Sequence, residues 1–126
     1  MLRRISIRAA FASAVLATVC LLPAPASGAE CKNLKVTDAV KSDLRDAHAR
    51  LTDRPFSGPK GRVYYGRCGT TRYALAGFKD KELGFTDQPE YLNRKSGRAW
   101  RDRGDTGGDV CGTAPPALLR VWGFAC

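Results

Sequence analysis

Residues Arg62-Val-Tyr-Tyr-Gly-Arg-Cys68, Gly69-Thr70 and Thr71-Arg-Tyr-Ala-Leu-Ala-Gly-Phe78 decide the reading of the fold. Two β-prone runs flank a Gly-X pair, and glycine at the first central position suits a type II′ turn, whose twist matches that of antiparallel strands. In that register opposed residue numbers sum to 139. Side chains alternate along a strand, so Tyr64, Tyr73 and Leu75 share one face, and Val63, Tyr65, Ala74, Ala76 and Phe78 the other. Both faces carry enough apolar surface to be partly covered, and the sequence does not say which is the core.

Downstream, Lys79 to Gln88 is polar around Gly84 and reads as a loop. Pro89 to Arg94, Lys95-Ser96-Gly97 and Arg98 to Arg103 read as a second hairpin, its three-residue loop placing Leu92 across from Trp100, both inward. Gly104 to Asp109 is rich in turn residues. Pro115-Pro-Ala-Leu-Leu-Arg-Val-Trp122 starts with prolines tolerated in a first helical turn and carries Leu118, Leu119 and Trp122 on one stripe.

Upstream, Thr37 is a helix-capping residue followed by an acidic first turn, and Ala39, Val40, Leu44, Ala47 and Leu51 recur at helical spacing. Asp53 to Gly61, broken by Pro55, Gly58, Pro59 and Gly61, reads as a connector. The expected fold is α+β: an N-terminal helix, a four-stranded antiparallel meander and a short C-terminal helix in one small domain.

The chain has 126 residues. Met1 to Arg8 forms a positive n-region, Ala9 to Leu22 an apolar run and Pro23 to Ala29 a small-residue exit, so residues 1–29 read as a cleaved signal peptide and 30–126 as the secreted domain. The apolar run falls short of the roughly 20 residues needed to cross a bilayer, and no membrane anchor is expected. Bulky Val19 before Cys20 argues against a lipid-acceptor cysteine. What remains is too short for a two-core enzyme, a Rossmann-type dehydrogenase or a closed barrel with eight helices, and it calls for covalent stapling. Export to an oxidising space makes Cys31, Cys68, Cys111 and Cys126 two disulfides, with three possible connectivities. The preferred pairing is Cys31 with Cys68 and Cys111 with Cys126. No Cys-x-x-Cys occurs, and His48, the single histidine, lies far from every cysteine, which counts against zinc.

The formal charge is +9; losing Arg3, Arg4 and Arg8 from 21 basic side chains leaves 18 against 12 acidic ones, or +6. The excess lies between Lys60 and Arg103. Arg62, Arg67, Arg72, Arg94, Lys95, Arg98, Arg101 and Arg103, interleaved with Tyr64, Tyr65 and Tyr73, are candidates for a stripe that meets an anionic polymer. Arginine on exposed strand faces also keeps a secreted protein soluble and discourages edge pairing.

Other motifs fare less well. Asp105-Thr106-Gly107 matches the aspartic-protease triplet, but Arg101, Asp102, Arg103 and Gly104 precede it where a buried apolar strand is required. Asp102, Asp105 and Asp109 could supply oxygens to calcium, yet Arg101 and Arg103 would repel the ion. His48 reads as a surface or helix-edge residue, and nothing in the sequence brings Glu82 or Glu90 to it as a catalytic partner. No catalytic residue, cofactor or metal ligand is therefore assigned.

The order Tyr73-Ala-Leu-Ala…Phe78, Asp87-Gln-Pro-Glu…Leu92, Gly97-Arg-Ala-Trp100, Gly104-Asp-Thr-Gly107, Cys111 and Pro115-Pro-Ala-Leu-Leu…Trp122-Gly123 resembles a loose group of small secreted or lipid-anchored actinobacterial proteins. The resemblance implies an exported α+β domain and carries no catalytic residue across. The expectation is a monomeric, secreted, non-enzymatic binding module for an anionic polymer or an extracellular protein. The alternatives are a small enzyme inhibitor, displaying Lys79 to Gln88 or Gly104 to Cys111, and a small hydrolase using His48.

Overall fold

Gly69, with φ of 59°, and Thr70, without a positive φ, turn strand β2 (Phe56–Cys68) into β3 (Thr71–Asp80) as a II′ turn requires. The register that follows pairs Tyr64 with Leu75, Tyr65 with Ala74 and Cys68 with Thr71. The expected first hairpin is thus present in the computed structural model, which describes residues 30–80, 84–86 and 88–126. The leader expected over residues 1–29 lies outside the described residues.

Around this hairpin the sheet grows on both sides. A short β1 (Cys31–Asn33) pairs antiparallel with β2, β5 (Glu90–Lys95) pairs with β3, and β6 (Arg101–Asp105) forms the far edge. The order is β1-β2-β3-β5-β6, with a two-residue β4 (Gly84–Phe85) beside the end of β3. Helix α1 (Asp38–Thr52) lies on one face and α2 (Pro116–Val121) on the other. The chain is a small α+β domain with two disulfides. No helix among the described residues is long and apolar enough to cross a membrane.

Both sheet faces are cores. Under α1, Leu44 and Ala47 pack on Tyr65, Ala74, Ala76, Phe78, Leu92 and Trp100. Under α2, Leu118, Leu119 and Trp122 pack on Leu75 and Cys68, with Tyr64, Tyr73 and Tyr91 at the margin. Phe78, Leu44, Leu75, Leu92, Leu118 and Leu119 are fully buried, each contributing about 1.5–3 kcal/mol of transfer free energy. Gly66 lets α2 approach: a Cβ there would stand 2.6 Å from Leu118 Cδ1 and 2.7 Å from the Lys32 carbonyl oxygen.

Four expectations about local structure need correction. The meander has more than four strands, because β1 precedes the helix and β4 interrupts the Lys79–Gln88 segment. The connector over Asp53 to Gly61 is instead largely strand, since two register shifts, between Ser57 and Lys60 and between Lys60 and Tyr64, absorb its glycines and proline as bulges. Leu92 pairs with Asp102 rather than Trp100, because β6 starts only at Arg101; Trp100 enters the core from the loop. Finally, Gly104 and Asp105 belong to β6 rather than to the turn that follows.

The disulfides take the preferred pairing. Cys31 and Cys68 are directly opposed on β1 and β2, and Cys111 is joined to Cys126 across 15 residues, tying down the C-terminus.

Candidate functional site

Helix α1 starts as its sequence dictates, with Thr37 Oγ1 accepting the Val40 N–H at 3.2 Å. Its inward stripe is rotated from expectation. Leu44, Ala47 and His48 are buried, whereas Leu51 is 54% exposed. His48, expected at the surface, is only 2% exposed, its ring stacked on Phe78 at 4.3 Å and edge-on to Phe56 at 4.2 Å. A histidine can be buried there because β6 supplies an acceptor: His48 Nδ1 lies 2.6 Å from Asp102 Oδ2.

Asp102 is a three-way hub. Its side chain is fully buried, Oδ2 meets His48, Oδ1 accepts the Gly104 N–H at 2.8 Å, and the Glu90 side chain bonds to it from β5. Glu90 is itself buried. Desolvation by burial, then the charge and hydrogen bond of Asp102, then the charge of Asp105, push the Glu90 carboxyl up to about 8. At neutral pH Glu90 therefore holds its proton and donates it toward Asp102.

His48, Glu90 and Asp102 are the only grouping among the described residues whose potential metal-ligand atoms converge, all within 4.8 Å. The hydrogen bonds just described already join these side chains. The imidazole is enclosed by Phe56 and Phe78, its Nε2 is buried without a partner, and through Nδ1 the cluster ties helix to sheet. Asp105 and Asp109 do not join it: their Oδ1 atoms accept the backbone N–H groups of Gly107 and Cys111, as turn-forming aspartates do.

The opposite face of β5 and β6 is open. Because Leu92 and Asp102 point toward α1, alternation turns Asn93, Lys95, Arg101 and Arg103 the other way, beyond the reach of the short α2. Arg94, Lys95, Arg98, Arg101 and Arg103 line a concavity of about 460 Å³ there, together with Thr71, Tyr73, Asn93 and Ala99; no carboxylate lines it. Arg103 Nε donates to Asn93 Oδ1 at 3.2 Å, which fixes that guanidinium over the sheet.

Four of the eight basic candidates, Lys95, Arg98, Arg101 and Arg103, thus converge; Arg94 also lines the hollow, but it pairs with Arg72 and its guanidinium lies on the α1 side, 5.9 Å from the centroid of the Trp100 ring. The other three stand apart. Arg72 is turned to the α1 face and donates to the Tyr65 hydroxyl at 2.8 Å. Arg67, opposite it, donates to the Gly69 carbonyl. Arg62 sits over the Tyr64 ring, 4.6 Å from its centroid, near Trp122. Of the interleaved tyrosines, Tyr65 is buried and Tyr64 packs on Trp122 and Phe124, so only Tyr73 reaches the concavity.

No family model, curated protein or solved structure matches this chain.

A fourth tyrosine lies outside the stripe expected from the sequence. Tyr91 lies on β5 opposite Leu75, and with Tyr73, Asn93 and Arg103 it lines a second, shallow hollow of about 490 Å³ that Gly112 to Pro115 also line. The two hollows share Tyr73, Asn93 and Arg103. The alternation of Tyr91 with Glu90 and Leu92 was the available signal.

Proposed function

We propose that this protein is a secreted, non-enzymatic binding module whose basic sheet face takes an anionic polymer. The observation that carries the reading is the convergence of Lys95, Arg98, Arg101 and Arg103 on one hollow whose lining includes no carboxylate. Like charges held this close repel one another, and an anion entering the hollow relieves that repulsion while its counterions are released. Arginine predominates in the set. Its planar fork bonds the oxygens of a phosphate in pairs, which suits a phosphate-bearing chain.

Catalysis does not enter this reading. The single histidine bonds to Asp102 inside the domain, on the other side of the sheet from Lys95, Arg101 and Arg103. Polyphosphate binding by the oxidised domain, measured at about 50 and about 300 mM salt, tests the proposal. Affinity is expected to fall steeply across that range. Equal binding at both concentrations, or none at either, would overturn it.

A further inference from the structure

We infer that the polymer is a single-stranded nucleic acid, its phosphates held in the arginine hollow and its bases received by Tyr73 and Tyr91. This inference rests on the anionic-polymer reading and narrows it.

The open face has two chemistries in one groove. In the cross-strand row Tyr73, Asn93 and Arg101, a ring on β3 leads across β5 to a cation on the edge strand. One row further on, Leu75 pairs with Tyr91, which puts the second ring on the strand next to Tyr73 and diagonal to it. Asn93 lies between the rings and the edge-strand arginines, its side-chain oxygen engaged by Arg103. Adjacent strands are about 4.8 Å apart, so a chain lying across the sheet meets rings and guanidinium groups within a few ångströms of one another. Tyr73 and Tyr91 are both half-buried, with their packed sides against the α2 core and their remaining surface lining the groove.

A polymer of phosphates alone would use the arginine end and leave the tyrosine end empty. A duplex shows its phosphates outside and keeps its bases stacked within, so it too would make no use of the rings. A single strand offers both, since each unpaired base has a flat apolar face and each linkage a phosphate. Open antiparallel sheets with tyrosine and arginine side by side suit that ligand because base stacking on aromatic rings tolerates any sequence. Asn93 and Thr71 add polar groups without adding negative charge.

The test uses the oxidised domain and four probes: a fluorescent deoxythymidine oligomer of about twelve nucleotides, an abasic phosphodiester strand of the same length, a duplex of that length, and polyphosphate. Fluorescence anisotropy at low salt is expected to show the oligothymidine at least about tenfold tighter than either the abasic strand or the duplex. Tyr91→Leu, checked for an unchanged thermal melting profile, is expected to remove most of that margin and to leave polyphosphate binding intact. Should the abasic strand or the duplex bind as tightly as the oligothymidine, base stacking is overturned while the basic face stands. Polyphosphate that binds while oligothymidine does not also overturns this inference alone. Failure of all four probes to bind overturns both readings.

Discussion

His48 Nδ1 and Asp102 Oδ2 stand 2.6 Å apart although 54 residues separate them in the chain, and this bond joins α1 to the edge strand of the sheet. Asp102 also turns the alternation of β6: with its side chain inside, Arg101 and Arg103 must face outward into the basic hollow. The buried cluster and the basic face are thus two sides of one strand. Replacing Asp102 by Ala strands the His48 N–H, the Glu90 proton and the Gly104 N–H without their acceptor. A loss of about 3–5 kcal/mol is expected, read as a lowered urea midpoint.

Glu90 makes stability depend on pH in an unusual direction for a carboxyl group. Its folded-state value is raised to about 8, well above that of an unfolded glutamate, so over roughly pH 4.5 to 8 the folded protein holds a proton that the unfolded chain releases. Its contribution is fully present at the acid end, declines as pH rises through that window, and is gone above about 8. A decline on the order of a few kcal/mol between pH 5 and 8.5 is expected. Glu90→Gln retains a donor toward Asp102 without a titrating proton. Urea unfolding of both proteins at the two pH values checks this, and an equally large decline in the variant would refute the assignment.

The contrast between these features shows what a sequence reading can reach. The Tyr64 to Leu75 register follows from Gly69-Thr70 alone, because a two-residue turn determines the pairing on both sides of it. His48 is different: its burial depends on how α1 is rolled on the sheet, and Leu44 and Ala47 are compatible with a stripe that continues to either His48 or Leu51. Only the acceptor on β6 decides between them. A hint was present nonetheless. If Trp100 points inward, the same parity carries Asp102 inward two residues later, and a buried aspartate demands a donor. The shorter loop expected around Gly97 set Leu92 against Trp100 instead of Asp102, a shift of two residues that leaves the inward face unchanged. The convergence of Lys95, Arg98, Arg101 and Arg103 could not be read from their spacing either, because it needs to be known that α2 covers only one end of its face.

Gly66 records how closely α2 sits. Alanine at this position would force its methyl group against Leu118 and, less avoidably, against the Lys32 carbonyl of β1. Leu118 can shift, but the backbone oxygen is held in the sheet. Gly66→Ala is expected to destabilise by about 1–3 kcal/mol, and calorimetry should show a lower melting temperature with no change in the His48 to Asp102 side of the molecule.

The Cys111–Cys126 link closes a loop spanning 15 residues, and Cys31–Cys68 one of 37. Chain-entropy estimates assign about 3 kcal/mol to the shorter and about 4 to the longer. Replacing Cys111 and Cys126 together by Ser is expected to cost the smaller amount in urea unfolding. Segment Gly112 to Pro115, which walls the second hollow, lies inside this shorter loop, so the same variant should weaken oligothymidine binding more than polyphosphate binding.

Arg101 and Arg103 lie on an edge strand, where charged side chains also serve to prevent pairing with another sheet. The two roles differ in what salt does. If the arginines only protect the edge, the double variant Arg101→Ala/Arg103→Ala should aggregate more readily and leave the salt dependence of ligand binding as it was. If each neutralises one phosphate of a single strand, the slope of log K against log salt should lose about 1.4, or about 0.7 for each cation removed. Titration across a series of salt concentrations measures that slope directly, whatever the absolute affinity. Arg62→Ala is the matching control, because that guanidinium lies over Tyr64 and outside the hollow, and its removal is expected to leave the slope unchanged.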